Sequence, residues 1–540
     1  MTGSSKTLAM SLAVGLSLTA CTTDNTYIVE APDAAGGQSD AHGDAPVTSH
    51  DGGAHDGASD GGVDGRPSEA STDGGVDAPR DVFTCDPMKG PSEQSCIISE
   101  TYGVFVATAG NGGSDTGGTG TRTAPYASVT HALANLKGLG RVFVCNGAYT
   151  DQITVGGAVS IYGGLTCGTP DSGVVGAWAY VNGTKGVVTA SSPSFALRVT
   201  AGSGAVDIED MEFDGIAGTS AVPTSIGALV LSSTDVTMSR VTLTSGTGLT
   251  GTMGTTVSNY AGVQATQGNA ASGATGGLSL TCTCGDSSMT TGGTGGAGSS
   301  GSPGGGGGGS PLITGAPVTD GAGGVYDTGD GTCQNGGPGA PSPNGPGGTG
   351  ATSAGTLGTS GWTLGPVGTA GTNAGPAQGG GGGSGGVYIA VPSGGGGGGA
   401  CGGCGGGGGT GGGPGGSSFA LASAGSVVTL NACSLTAGSG GMGGQGGPGQ
   451  SGEPGGTSGV QSANGCQGGK GGAGGTGGGG GGGAGGHSIA IAYSGTQPTT
   501  PNGTMAFFAT TAAGGGGAGT PAGTTGTGGS AGLFAASMSF

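Results

Sequence analysis

Three stretches of this chain carry one pattern of apolar positions. Val206-x-Ile208-x-x-Met211-x-Phe213, Val236-x-Met238-x-x-Val241-x-Leu243 and Val428-x-Leu430-x-x-Cys433-x-Leu435 place apolar residues at offsets 0, 2, 5 and 7. Alternation with a period of two marks a strand with one buried face. A single flat strand would hold its phase through offsets 4 and 6. The slip predicts a corner between two short strands that keep the same face inward, as in the coils of an all-β solenoid. Each pattern shortly follows an apolar run: Phe195 to Val199, Ile226 to Leu231, Phe419 to Leu421. The first two patterns start 30 residues apart and the third 192 residues later, so 245–417 reads as one large insertion. Val387-Tyr388-Ile389-Ala390-Val391 is an expected rung inside it. Ser488 to Tyr493, Met505 to Phe508 and Leu533-Phe534 would supply the last rungs. An antiparallel β-sandwich is the rival architecture, and it would require hairpin turns between rungs.

Upstream, Val104-Phe105-Val106 predicts a strand, and Val129, Ala132, Leu133 and Leu136 are spaced for one face of a helix that Gly138 and Gly140 end. Arg141 to Cys145, Ile153 to Val155 and Val159 to Tyr162 predict three further strands, with a turn at Asn146-Gly147. The run Gly120-Thr-x-x-x-Pro125, helix, strand, Asn146-Gly147-x-Tyr149, strand, Gly163-Gly164 resembles the opening of right-handed parallel β-helix proteins of the pectate-lyase-like class. That resemblance implies a right-handed parallel β-helix whose first coil is capped by the short helix.

Glycine supplies 146 of the 540 residues, in unbroken runs such as Gly394 to Gly399, Gly405 to Gly409 and Gly477 to Gly483. Glycine loses the most backbone entropy on folding and brings no side chain to a core. Such tracts are therefore either disordered or packed backbone to backbone. Within 438–487 they have a period of three: Met442, Gln445 and Pro448 are separated by Gly-Gly, as are Lys470, Ala473 and Thr476. A polyproline-II-type helix has three residues per turn and no internal hydrogen bonds. Gly-Gly-x in that conformation can line up polyglycine-II helices that bond their neighbours and point only x outward. Collagen is disfavoured, because proline is sparse and no Gly-x-y frame is sustained. In composition the tracts resemble the glycine-rich repeats of mycobacterial surface proteins of the PGRS type.

The amino terminus adds an address. Leu8 to Ala20 is apolar and too short to span a bilayer, and it ends in Leu18-Thr19-Ala20-Cys21. This resembles the lipobox of bacterial lipoproteins, which implies cleavage, acylation of Cys21 and membrane attachment through lipid. Thr22 in place of aspartate implies sorting to the outer membrane. Residues 22–84 hold thirteen acids against Arg66 and Arg80, a net −11 of the chain's −19. They read as a disordered, self-repelling tether. His42, His50 and His55 lie within it as solvated spacer residues. The acidic balance argues against nucleic acid as a partner. The expected organisation is a signal peptide (1–20), the tether (21–84), β-helix coils with the capping helix (85–244), a glycine-rich insertion (245–417), one rung (418–437), the Gly-Gly-x insertion (438–487) and C-terminal strands with a glycine-rich tail (488–540).

Twelve cysteines in an exported chain imply disulfides. Cys85 with Cys96 and Cys145 with Cys167 are the expected pairs. Cys21 is set aside for lipid, so one of the remaining eleven is left over. The close pairs Cys282/Cys284 and Cys401/Cys404 read as staples rather than as a zinc site.

Chemistry is scarce. After Arg240 the only charged residues are Asp286, Asp320, Asp327, Asp330, Glu453 and Lys470. General acid–base catalysis needs paired ionisable groups. One cluster qualifies: Asp207, Glu209, Asp210, Glu212 and Asp214, with Arg240 at the same repeat offset as Asp210. Alternation turns Asp207, Glu209 and Glu212 outward. In polysaccharide lyases of this fold, outward carboxylates hold calcium beside a basic residue that takes the proton, a role Arg240 would fill. The simpler expectation is a coil-to-coil ion pair with the other acids solvated. Trp178 and Trp362 are the only tryptophans, so no aromatic sugar platform accompanies the cluster. No catalytic residue and no cofactor is expected, Ca2+ being the one candidate. The preferred expectation is a non-catalytic surface lipoprotein with a structural or adhesive role toward envelope components or extracellular polysaccharide. The alternative is a carbohydrate-active β-helix protein, and a third reading is binding to ice or crystal surfaces through flat polyglycine faces.

Overall fold

A computed structural model describes residues 27–28, 85–168, 177–387, 393–519 and 524–540. The signal peptide, Cys21 and most of the tether lie outside the described residues, as does all but Val387 of the rung expected at 387–391.

The chain is all-β, built on three long sheets of predominantly parallel strands. Sheet 1 contains Val104–Val106, Arg141–Cys145, Val159–Cys167, Val206–Glu209, Val236–Ser239, Val428–Asn431 and Thr499–Asn502. Sheet 2 contains Gly147–Asp151, Gly186–Ala190, Met211–Asp214, Thr242–Thr244, Ser434–Thr436 and Met505–Phe507. Sheet 3 contains Ile153–Val155, Phe195–Val199, Ser225–Leu231, Ser418–Ala424, Ser488–Ser494 and Phe534–Ser539. From Arg141 onward these strands follow one another in the unbroken order sheet 1, sheet 2, sheet 3. Parallel pairing of successive rungs excludes the antiparallel sandwich. Two antiparallel exceptions lie at the margins: Trp178–Tyr180 beside Val159–Cys167, and Tyr27–Ile28 beside Met505–Phe507. The second pair ties one point of the expected tether to the last strand of sheet 2.

The sequence pattern sets the register. Val206 pairs with Val236 and Val236 with Val428; Ile208, Met238 and Leu430 align in the same way, as do Phe213, Leu243 and Leu435. All nine side chains are buried in one continuous apolar core. The phase slip is a corner: Asp210, Arg240 and Ala432 each adopt a positive φ, of 52°, 58° and 50°. The middle strands of sheet 3, Ser225–Leu231 and Ser418–Ala424, are buried on both faces, which explains their unbroken apolar runs. Its outer face is covered by an antiparallel hairpin, Gly355–Gly358 with Gly361–Leu364, which brings Leu357 and Trp362 against Phe419 and Ile489. The helix is shorter than the sequence suggests, Val129–Ala134, with the Ser128 hydroxyl accepting from the His131 N–H at 3.2 Å. Leu133 and Leu136 still pack against the core.

Every long glycine-rich segment leaves between a sheet 2 strand and the next sheet 3 strand: 245–417, 437–487 and 508–533. Buried serines hold this exit. Ser225, Ser418 and Ser488 align in register; Ser418 donates to the Gly246 carbonyl at 2.7 Å and Ser488 to that of Gly438 at 2.8 Å. The segments then pack on one another in an ordered slab. Gly403, Gly406, Gly409 and Gly412 donate to Gly472, Gly475, Gly478 and Gly481, stepping three residues on both tracts. Gly397, Gly398 and Gly399 donate in turn to Cys466, Asn269 and Gly293, and Ala400 returns to the first neighbour at Gly469. Met442, Gln445, Pro448, Lys470 and Ala473 are exposed while the glycines between them are buried or half-buried. A Cβ on Gly480 would collide with the Thr410 carbonyl, so the tracts approach more closely than any side chain allows.

Disulfides join Cys85 to Cys96 and Cys145 to Cys167. Three more staple the slab: Cys282–Cys401, Cys284–Cys404 and Cys333–Cys466. The two close cysteine pairs thus bond each other. Among the described residues the leftover thiol is Cys433, buried in the core, where burial pushes it up to about 11.

Candidate functional site

Sheet 1 and its corner with sheet 2 bring the acidic residues onto one flank without making them converge. Asp207, on Val206–Glu209, is half-buried and accepts from the Ser160 hydroxyl at 3.3 Å. Glu212 and Asp214 lie past the corner on sheet 2, also half-buried. The expected outward acids are therefore less solvated than alternation alone suggests. Burial pushes Asp207, Glu209, Glu212 and Asp214 upward from the ordinary carboxylate range. For Glu209 the Arg240 charge opposes that rise, and for Glu212 the neighbouring Asp214 adds to it.

Arg240 sits at the centre. Its Nε and Nη2 donate to the two oxygens of Asp210 at 2.8 Å each, and Nη2 also donates to Glu209 at 2.8 Å and to Ser92 at 3.3 Å. The Tyr180 hydroxyl donates to Asp210 at 3.1 Å. Asp210 is almost wholly buried, with 3% of its side chain exposed, whereas Arg240 keeps 36%. The hydrogen bond with Asp210 is the largest influence holding the guanidinium even more firmly protonated than an ordinary arginine. A protonated guanidinium has five donors and no acceptor, and here those donors are turned to Asp210, Glu209 and Ser92. Among the described residues no group of three or more His, Cys, Asp or Glu side chains is arranged to hold a metal ion. What the cluster does is clamp. Through Ser92 and Glu209 it fastens the 85–99 segment, closed by Cys85–Cys96, onto the flank of sheet 1.

A second feature was not legible as a site. A cleft of about 460 Å3 opens where the outer face of sheet 3 emerges from beneath the Gly355–Leu364 hairpin. Phe195, Ile226 and Leu229 line it from the sheet, and Trp362 and Leu364 from the hairpin. Arg198 is its only ionisable lining residue. The signal in the sequence is slight: one arginine inside the apolar run Phe195 to Val199. Trp362, set in a glycine-rich insertion, gave no hint of what it would cover. Nearby His487 is buried against Trp362 and Phe540 and accepts the Leu533 N–H on Nδ1 at 2.9 Å; burial lowers it to about 4.

Compared with known proteins, the chain matches no family model, no curated protein and no solved structure.

Proposed function

We propose that this chain is a non-catalytic, lipid-anchored surface protein, in which a right-handed parallel β-helix carries a slab of packed polyglycine-II helices. The cyclic order of the three sheets supports the β-helix reading, since each passage through sheets 1, 2 and 3 adds one rung to all three. The slab supports the polyglycine-II reading: successive N–H groups of one tract fan out to three different neighbours and return after three residues. The observation that carries the function is the makeup of that slab. Its interior is mostly backbone bonded to backbone, its sequence is nearly free of charge, and in the Gly-Gly-x runs Met442, Gln445, Pro448, Lys470 and Ala473 reach solvent. Such a body is stiff and chemically inert, suited to display and contact. Within the acidic cluster, Glu209, Asp210 and Arg240 are engaged in a structural clamp.

Attachment to the bacterial outer membrane rests on the lipobox-like Leu18-Thr19-Ala20-Cys21 and on the acidic segment that follows it. Acylation would anchor the chain stably where more than one acyl chain is added. The PGRS-like composition favours a role in envelope or matrix structure or in adhesion, with envelope components or extracellular polysaccharide as the contacted material. The test is expression in a Gram-negative host with radiolabelled palmitate. Wild-type protein is expected to carry label, to fractionate with outer membranes and to be shaved by external protease. Cys21→Ala should lose label and membrane attachment together. Unlabelled wild-type protein in the soluble fraction would overturn the reading.

A further inference from the structure

Two residues that line the cleft between sheet 3 and the hairpin, Arg198 and Trp362, are half-buried and each carries a donor without an acceptor. Arg198 Nε and Trp362 Nε1 are both buried and unpartnered. The ion pairs among the described residues use Lys89, Arg122 and Arg240, so among those residues no carboxylate pairs with Arg198. Buried polar groups are as a rule hydrogen-bonded, and a buried charge is as a rule paired. The rest of the cleft is largely apolar, through Phe195, Pro223, Ile226, Leu229 and Trp362. At its rim Ser194 holds a φ of 127°, a backbone region that residues other than glycine avoid and that recurs at ligand-binding positions. The volume of about 460 Å3 falls within the range of small-molecule sites, roughly 300–1,000 Å3.

We infer that this cleft binds a monocarboxylate with an apolar body. The carboxylate accepts from the Arg198 guanidinium, and the apolar part lies between Phe195, Ile226, Leu229 and Trp362. An arginine fork matches a carboxylate better than it matches a neutral acceptor. This site is separate from the Arg240 cluster and does not depend on the surface role proposed above.

The experiment is calorimetric titration of the full-length mature protein with decanoate and with 4-phenylbutyrate, which distinguish an acyl from an aryl body, and with decanol as the neutral control. At least one carboxylate is expected to bind, with decanol at least tenfold weaker. Arg198→Gln should reduce carboxylate affinity at least tenfold and leave decanol unchanged, while Arg198→Lys should retain part of the affinity. Thermal unfolding of both variants checks that the fold persists. Absence of binding by both carboxylates, equal affinity for decanol, or undiminished affinity in a folded Arg198→Gln protein would each overturn the assignment. If the glutamine variant does not fold, the comparison of decanoate with decanol on wild-type protein decides alone.

Discussion

Asp210 and Arg240 occupy the same corner on successive rungs, both with left-handed backbone, and their side chains meet in two parallel hydrogen bonds of 2.8 Å. The corner imposes the meeting: with Glu209 in register with Ser239, the next residue of each rung stacks directly on the other. Neither residue is glycine, although a positive φ favours it, and Ala432 holds the same turn on the next rung.

Removing one partner of that pair strands the other. Arg240→Ala leaves the Asp210 carboxylate buried with only the Tyr180 hydroxyl, and it releases Ser92 and Glu209. Breaking a buried pair costs about 3–5 kcal/mol, and the partial exposure of Arg240 reduces this to about 2–3 kcal/mol. Denaturant unfolding of Arg240→Ala, Asp210→Asn and the double variant should show strong coupling between the two sites. Additive effects would mean that the pair is incidental. On uronate polymers, Arg240→Ala should change nothing, because the wild type is expected to show no eliminase activity.

The slab makes a second, sharper prediction. Gly480 donates to Gly447 at 2.8 Å and faces the Thr410 carbonyl with no room for a Cβ. Gly480→Val therefore pushes neighbouring tracts apart, at a cost of about 1–3 kcal/mol typical of overpacking. Amide exchange should accelerate across 403–415 and 441–453 and stay unchanged in the rungs at Val206 to Leu243. Met442→Val, at an outward position that is 58% exposed, should alter stability by less than about 0.5 kcal/mol. Equal exchange in the two variants would show that the glycines are not packed as described.

How much of this was legible in the sequence depends on whether side chains carry the signal. The offsets 0, 2, 5 and 7 gave three rungs and their register, because Val206, Ile208, Met211 and Phe213 are the core itself. The strands Gly147–Asp151 and Gly186–Ala190 were not anticipated. The first buries only Tyr149, among glycine, an exposed alanine and polar residues, so periodicity has almost nothing to register. The order of the slab was undecidable for a related reason. A glycine tract declares a period of three, but its partners are carbonyl groups, and every residue has one. The acidic cluster was visible as composition, yet its arrangement depended on a corner whose backbone turns Asp210 inward. Arg198 was invisible because its meaning lies in the hairpin, more than 150 residues away in sequence, that closes over it.

The slab's staples should be separable from the core. Cys282–Cys401 and Cys284–Cys404 close loops of 119 and 120 residues, and Cys333–Cys466 one of 133. Bridges of this kind contribute about 2–4 kcal/mol each, mainly by restricting the unfolded ensemble. Replacing Cys401 and Cys404 together by serine is expected to lower protection over 259–300 and 395–416. The β-sheet signal of the rungs and the buried Cys433 thiol should be unaffected, the latter checked by its inertness to iodoacetamide. Labelling of Cys433 in the variant would show that the staples hold the core as well.

Acid should act through His487. Its folded-state pKa is lowered by burial to about 4, against an ordinary 6.5. Below pH 6.5 the unfolded chain therefore takes up a proton that the folded chain refuses. The stability this residue contributes is fully present above pH 6.5 and is lost as pH falls toward 4, by up to about 3 kcal/mol. Asp207, Glu209, Glu212 and Asp214 work in the opposite sense: their raised values mean that the folded chain binds protons more readily, so acidification favours folding at those sites. The net profile of the wild type mixes the two, and the informative quantity is the difference between wild type and His487→Asn. Asparagine keeps an acceptor for the Leu533 N–H and cannot titrate. Between pH 7 and 4.5 the wild type should lose melting temperature relative to His487→Asn, and the two curves should run parallel above pH 7. Parallel curves down to pH 4.5 would show that His487 is protonated as easily in the folded chain as in the unfolded one, and that its burial under Trp362 and Phe540 is not maintained in solution.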